Sequence, residues 1–137
     1  MKDYPKDLRI IFKQQPLPFH KDARPAAKAS LAAHKQGKFW EYHDVLFENM
    51  KALKPDNLEA YAKQVGLNVK KFKKDMADAS LEEQVKRDQA LAAKVGARGT
   101  PTSFVNGYMV RGAQPVAAFK KIIDRELAKA KGAKAKK

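Results

Sequence analysis

Few residues in this chain have a type and spacing that could do chemistry. There is no cysteine, so no disulfide, thiolate metal site or thiol nucleophile can form. The three histidines are His20, His34 and His43. They have no metal-ligand spacing, and His43 has no second ligand three or four residues away, so no metal site is expected. No Ser-x-Gly elbow, Walker loop or Gly-x-Gly-x-x-Gly fingerprint occurs. The acidic pair Glu82–Glu83 lies in Ser80-Leu-Glu-Glu83, a capping-box pattern that needs no catalytic explanation. No catalytic residue and no cofactor are therefore expected. The informative segment is Gly99-Thr100-Pro101-Thr102-Ser103-Phe104. Proline cannot donate to a β-ladder, so Pro101 fits the entry of a strand. A cis-proline that holds its predecessor's backbone out toward an extended peptide fits the same residues.

The flanking elements must position that segment. Leu8-Arg-Ile-Ile-Phe-Lys13, stopped by Pro16 and Pro18, reads as a buried strand. Ala26, Ala27, Ala29, Ala32 and Ala33 mark a helix with Pro25 in its first turn and Gly37 as a left-handed end. Phe39, His43, Leu46, Phe47 and Met50 predict a second helix over 39–50, with these residues as its apolar stripe. Leu58, Tyr61, Ala62 and Val65 stripe a third helix that closes at Gly66, and Val69, Phe72 and Met76 a short fourth. The Ser80 box opens a fifth, running to about Val95 and closed by Gly96. Asn106-Gly107 between two β-prone runs predicts a hairpin of strands 102–105 and 108–111, because a two-residue type I′ turn needs positive φ at both central positions. Pro115 then starts a last helix, with Phe119, Ile122, Ile123 and Leu127 facing inward.

The chain has 137 residues with 29 Lys+Arg against 15 Asp+Glu, a net charge of +14. The length fits one domain over residues 1–128, with a lysine-rich tail over 129–137. A composition 44% hydrophobic and 32% charged excludes a disordered tail, and no window approaches a membrane span. Residues 1–7 hold no hydrophobic stretch, so no secretory signal is read there. Lysine outnumbers arginine 23 to 6, and five lysines fall in the tail. Lysine is a hydrated point charge, whereas arginine is the usual fork for phosphates and base edges, so nucleic acid is not the favoured partner. The charge reads first as a solvated surface and second as attraction to anions.

Several stretches, in order, resemble the DsbA-like branch of the thioredoxin-fold disulfide oxidoreductases. They are Ile10-Ile-Phe-Lys13 with Pro16-Leu17 and His20; the alanine-rich helix into Gln36-Gly-Lys-Phe-Trp40 with His43-Asp44 and Leu46-Phe47; and Val95-Gly96, Gly99-Thr-Pro-Thr102, Phe104-Val-Asn-Gly107 and Gly112-Ala113. The resemblance spans about residues 8–127. It implies an α/β (α+β) class: an incomplete thioredoxin-like fold of strand, four to five helices, β-hairpin and C-terminal helix, with a helical insertion over about 22–96. It implies a site at Gly99, Thr100 and Pro101, where the backbone before the cis-proline would pair with an extended substrate polypeptide. It also implies the oxidising bacterial cell envelope, or periplasm, as location.

The family's Cys-x-x-Cys helix follows its first core strand, N-terminal to the stretch resembled by residues 8–13, and this sequence does not contain it. The chain is therefore expected to be a redox-inactive fragment of such an enzyme. In the family that first strand lies between the strand resembled by residues 8–13 and the one after Pro101. Its omission predicts open strand edges, repaired by homo-oligomerisation, strand exchange or direct re-pairing. Two other readings stand beside this one: a non-catalytic peptide-binding or scaffold module, and a basic anion- or nucleic-acid-binding protein.

Overall fold

Alanine at 26, 27, 29, 32 and 33 organises the larger part of the chain, because a helix face without bulk lets its neighbours approach closely. A computed structural model describes residues 3–134. Among these described residues six helices and one two-stranded sheet follow in order: α1 Ala23–His34, α2 Phe39–Glu48, α3 Pro55–Gln64, α4 Val69–Met76, α5 Ala79–Lys94, β1 Thr102–Val105, β2 Tyr108–Arg111 and α6 Val116–Lys134. The chain divides into two compact units, residues 13–95 and residues up to 12 together with those from 96 onward. Among the described residues no helix is long and apolar enough to cross a membrane.

The unit over 13–95 is helical. The five α1 alanines are buried, and Tyr42, Leu58, Ala62, Phe72 and Leu81 pack with that face into one core. Tyr42 is fully enclosed, and its hydroxyl donates to the Leu58 carbonyl at 2.9 Å. Burial pushes its phenol well above the usual range. Before α1 the chain runs without regular structure, held by a buried carboxylate. Asp88 accepts from Lys13 Nζ at 3.1 Å, the Gln14 backbone N–H at 3.0 Å and Gln84 Nε2 at 2.9 Å. Gln14 Nε2 donates to Ser30 Oγ at 2.8 Å, and Gln89 Nε2 to the Pro16 carbonyl at 3.0 Å. A carboxylate this enclosed is tolerated because donors converge on both of its oxygens.

The other unit holds the hairpin and α6. Asn106 and Gly107 have φ of +48° and +86°, as the two-residue turn requires. Val105 pairs with Tyr108, Ser103 with Val110 and Thr102 with Arg111. Helix α6 packs on β1, and the Arg125 guanidinium lies 4.3 Å over the Tyr108 ring. Phe119, Ile122, Ile123 and Leu127 are half-buried. The N-terminal segment ties to α6 where the Tyr4 hydroxyl donates to Asp124 Oδ1 at 2.7 Å and Lys120 pairs with Asp3 at 2.8 Å.

Three expectations are corrected. Residues 8–13 form no strand: Ile10, Ile11 and Phe12 are 48%, 64% and 40% exposed, and no ladder reaches them. A strand is defined by its ladder, and among the described residues the ladder joins β1 to β2 and does not include this segment. The apolar stripe of α2 is also different. Its buried residues are Tyr42 and Val45, while Trp40, Phe47 and Met50 are exposed at 43%, 57% and 68%. Phe39, His43 and Phe47 form a row of rings on its outer side, His43 stacking on Phe47 at 4.4 Å. The cap of α5 is Asp78, which accepts from the Ser80 N–H at 2.8 Å, so Ser80 lies inside the helix and Glu83 pairs with Lys86 instead. Helix α6 runs on through Lys134 into the lysine-rich stretch; residues 135–137 of that stretch lie outside the described residues.

Asp78 also carries a pH dependence. Hydrogen bonds from Lys35 Nζ at 2.6 Å and from Ser80 hold its carboxyl well below the usual 3.8. Arg24, hydrogen-bonded to Glu82, lowers that carboxyl in the same way. A carboxyl whose folded pKa is depressed contributes stability that is present above its unfolded pKa and lost as pH falls through the folded one. Urea midpoints are therefore expected to fall as pH drops below about 4. Asp78→Asn should flatten that acid limb, and identical limbs for both proteins would contradict this.

Candidate functional site

The hairpin turn fixes what stands at the opposite end of the ladder. Counting outward from Asn106-Gly107, hydrogen-bonded pairs alternate with non-hydrogen-bonded ones. Val105 and Ser103 direct their backbone groups at β2. Thr102 and Phe104 direct theirs away from it, leaving an open edge on β1. One step further, the Gly112 N–H donates to the Pro101 carbonyl at 2.8 Å, continuing the alternation past the strand. The outer edge of β2 is partly covered, because Gln114 Nε2 donates to the Arg111 carbonyl at 3.0 Å.

Beside that open end lies a cleft of about 500 Å3. It is lined by Gly96, Arg98, Gly99, Thr100, Pro101, Thr102, Arg111 and Gly112. The Thr100–Pro101 bond is cis. Of the two readings of Pro101, the structure therefore has the cis form, and the strand begins at the next residue. Thr102 Oγ1 donates to the Gly99 carbonyl at 2.7 Å and so braces the loop against its own strand. Gly99, Thr100 and Pro101 are all exposed and all line this one cleft, so the structure brings the expected site residues together. A Cβ at Gly99 would meet nothing within 4 Å, which marks open space above the loop.

The sequence reading missed Arg98 and Arg111. The signal was present in the register: a two-residue turn at 106–107 places Arg111 across from Thr102, and side chains at such a non-hydrogen-bonded pair are close neighbours on one face. No acidic residue lines the cleft, and among the described residues neither arginine makes an ion pair. Two guanidinium-bearing residues thus flank a loop with exposed backbone. Such a place can bind a polar, extended, electron-rich segment. Among the described residues no group of three or more His, Cys, Asp or Glu side chains could hold a metal ion.

Comparison with known proteins gives a consistent picture. A family model described as a DSBA-like thioredoxin domain matches residues 2–124. A Na(+)/H(+) antiporter NhaA of Herminiimonas arsenicoxydans is 42% identical over 106 residues, 77% of this chain and 17% of that protein. A probable disulfide bond formation protein D of Bacillus cereus is 34% identical over 118 residues, 80% of this chain and 54% of that protein. The crystal structure of a thioredoxin-like oxidoreductase from Silicibacter pomeroyi DSS-3 superposes with a TM-score of 0.78 at 25% identity, over 92% of this chain and 72% of that one. The chain spans about half, or much less, of the length of these curated relatives.

Proposed function

The chain belongs to the DSBA-like thioredoxin domain family, and from that premise we propose that it is the polypeptide-handling part of a thiol–disulfide oxidoreductase-type protein, with no sulfur chemistry of its own. The observation that carries this reading is the pairing of an exposed Gly99–Thr100–Pro101 loop with a chain that has no cysteine. Thiol exchange requires a thiolate as nucleophile, and no other side chain here substitutes for one. What remains is recognition: backbone groups at Thr100 hold an extended segment by main-chain hydrogen bonds, as in strand addition. The redox step then belongs to thiols outside this sequence. The oxidising cell envelope is the proposed location.

Two further proposals complete the reading. Residues from about 22 to 96 serve as the helical insertion. The open edge of β1 is filled in solution by a strand from a second copy, since an unpaired edge is a ready template for another chain. The match to 17% of an antiporter also favours a module that works appended to a larger protein.

Titration with a short end-blocked Val/Thr/Ser peptide tests the binding claim. Wild type should bind weakly, and Thr100→Pro, which removes the backbone N–H at 100, should weaken binding by about fivefold or more, the scale of one lost hydrogen bond. Unchanged affinity in a variant with a wild-type circular-dichroism spectrum would contradict it. Insulin reduction with glutathione should not exceed the rate without protein, and turnover above that rate would overturn the claim of no sulfur chemistry.

A further inference from the structure

The charge on this chain is mostly lysine and mostly spread, but two of its six arginines meet at one place. Arg98 stands in the turn after α5, and Arg111 ends β2. Both are exposed and both line the cleft at Thr100–Pro101. By contrast Arg24 is engaged with Glu82 and Arg125 with Glu126 and the Tyr108 ring. The Arg111 Nε–H donates to the Met109 sulfur at 3.1 Å, a weak acceptor that leaves most of the guanidinium's five donors available. The cleft holds no carboxylate of its own to neutralise the pair.

We propose that this cleft selects extended peptides carrying an acidic side chain, whose carboxylate is held between Arg98 and Arg111 while the backbone lies along Thr100. This rests on the peptide-binding reading and adds the substrate class to it. Guanidinium suits the role because its planar fork matches a carboxylate with two parallel hydrogen bonds, whereas the many lysines elsewhere offer only point charges. The pair is exposed, so the gain is limited by water and falls as salt rises. The expected preference is therefore about three- to tenfold.

Fluorescence anisotropy of two end-blocked Val/Thr/Ser peptides, identical except for one Ser→Asp, tests this, with a short single-stranded oligonucleotide as a third probe. At low salt the acidic peptide should bind about three- to tenfold tighter than the neutral one. The gap should close at high salt, and also in Arg98→Gln and in Arg111→Gln. Equal affinity for the two peptides would overturn the acidic preference and leave the peptide site standing. A gap that survives both arginine variants would place the selection elsewhere and overturn the assignment. Binding of neither peptide to folded protein would overturn this inference together with the reading beneath it. Tighter, arginine-dependent binding of the oligonucleotide would replace the acidic peptide with phosphate as the ligand.

Discussion

Phe72→Ala is expected to lower stability by about 3–5 kcal/mol and the thermal midpoint by roughly 10–20 °C. Phe72 is 1% exposed, its ring centroid lies 5.6 Å from that of Tyr42, and it fills the space the α1 alanines leave open. Truncation removes an entire ring, and the helices around it cannot close on the void without moving α1 and α2 together. Domains are stable by only about 5–15 kcal/mol, so a third or more of the total is at stake. Phe47→Ala provides the contrast. Phe47 is 57% exposed on the outer side of α2, so its loss should change stability by no more than about 0.5 kcal/mol. Urea denaturation followed by circular dichroism and by Trp40, the single tryptophan, reads both. Comparable effects of the two variants would mean that the core is not where it is described.

The second large effect is on mass. Light scattering on purified chain is expected to give a concentration-dependent mass rising toward at least twice the 15.4 kDa of one copy. The physical cause is the outward backbone of Thr102 and Phe104 on β1. The outward side chain of Phe104 is 42% exposed, and it adds apolar surface beside that edge. Water satisfies those backbone groups in the single copy, but a second strand satisfies them and buries the neighbouring side chains as well. Phe104→Lys places a charge beside the edge, the means by which natural sheets discourage such pairing, and should return the mass to that of one copy. A wild-type mass of one copy at every concentration would contradict the proposal.

How much of this was legible in the sequence follows from the range of the interactions involved. Asn106-Gly107 carried the hairpin and its register, because a turn's φ requirements are local to two residues. The same holds at Gly37, Gly66 and Gly96, where positive φ ends a helix as read. The expected site residues Gly99, Thr100 and Pro101 lie together because they are consecutive in one loop.

What failed was what depends on distant partners. Helix α2 carries two overlapping stripes, Tyr42 with Val45 and Phe39 with His43 and Phe47, and periodicity alone favours the second. The core takes the first, because Tyr42 finds both a ring in Phe72 and an acceptor at Leu58. Residues 8–13 have strand composition, yet among the described residues the ladder joins only β1 and β2, and composition does not report ladder membership. Asp78 displaced Ser80 as the cap of α5 by a pairing with Lys35 from the end of α1, which no local pattern announces. Arg98 and Arg111, thirteen positions apart, line one cleft, and the hairpin's register sets Arg111 across from Thr102 beside the loop.

The most direct test of the central claim, that the loop at Thr100 is where this chain holds a polypeptide, is amide-resolved NMR during titration with the end-blocked Val/Thr/Ser peptide. Saturable shifts are predicted at the amides of Gly99, Thr100, Thr102 and Gly112, and in Thr100→Pro those at Gly99, Thr102 and Gly112 should need about fivefold more peptide, or more, to saturate. Shifts confined to α2, or none at the loop with peptide in excess, would contradict it.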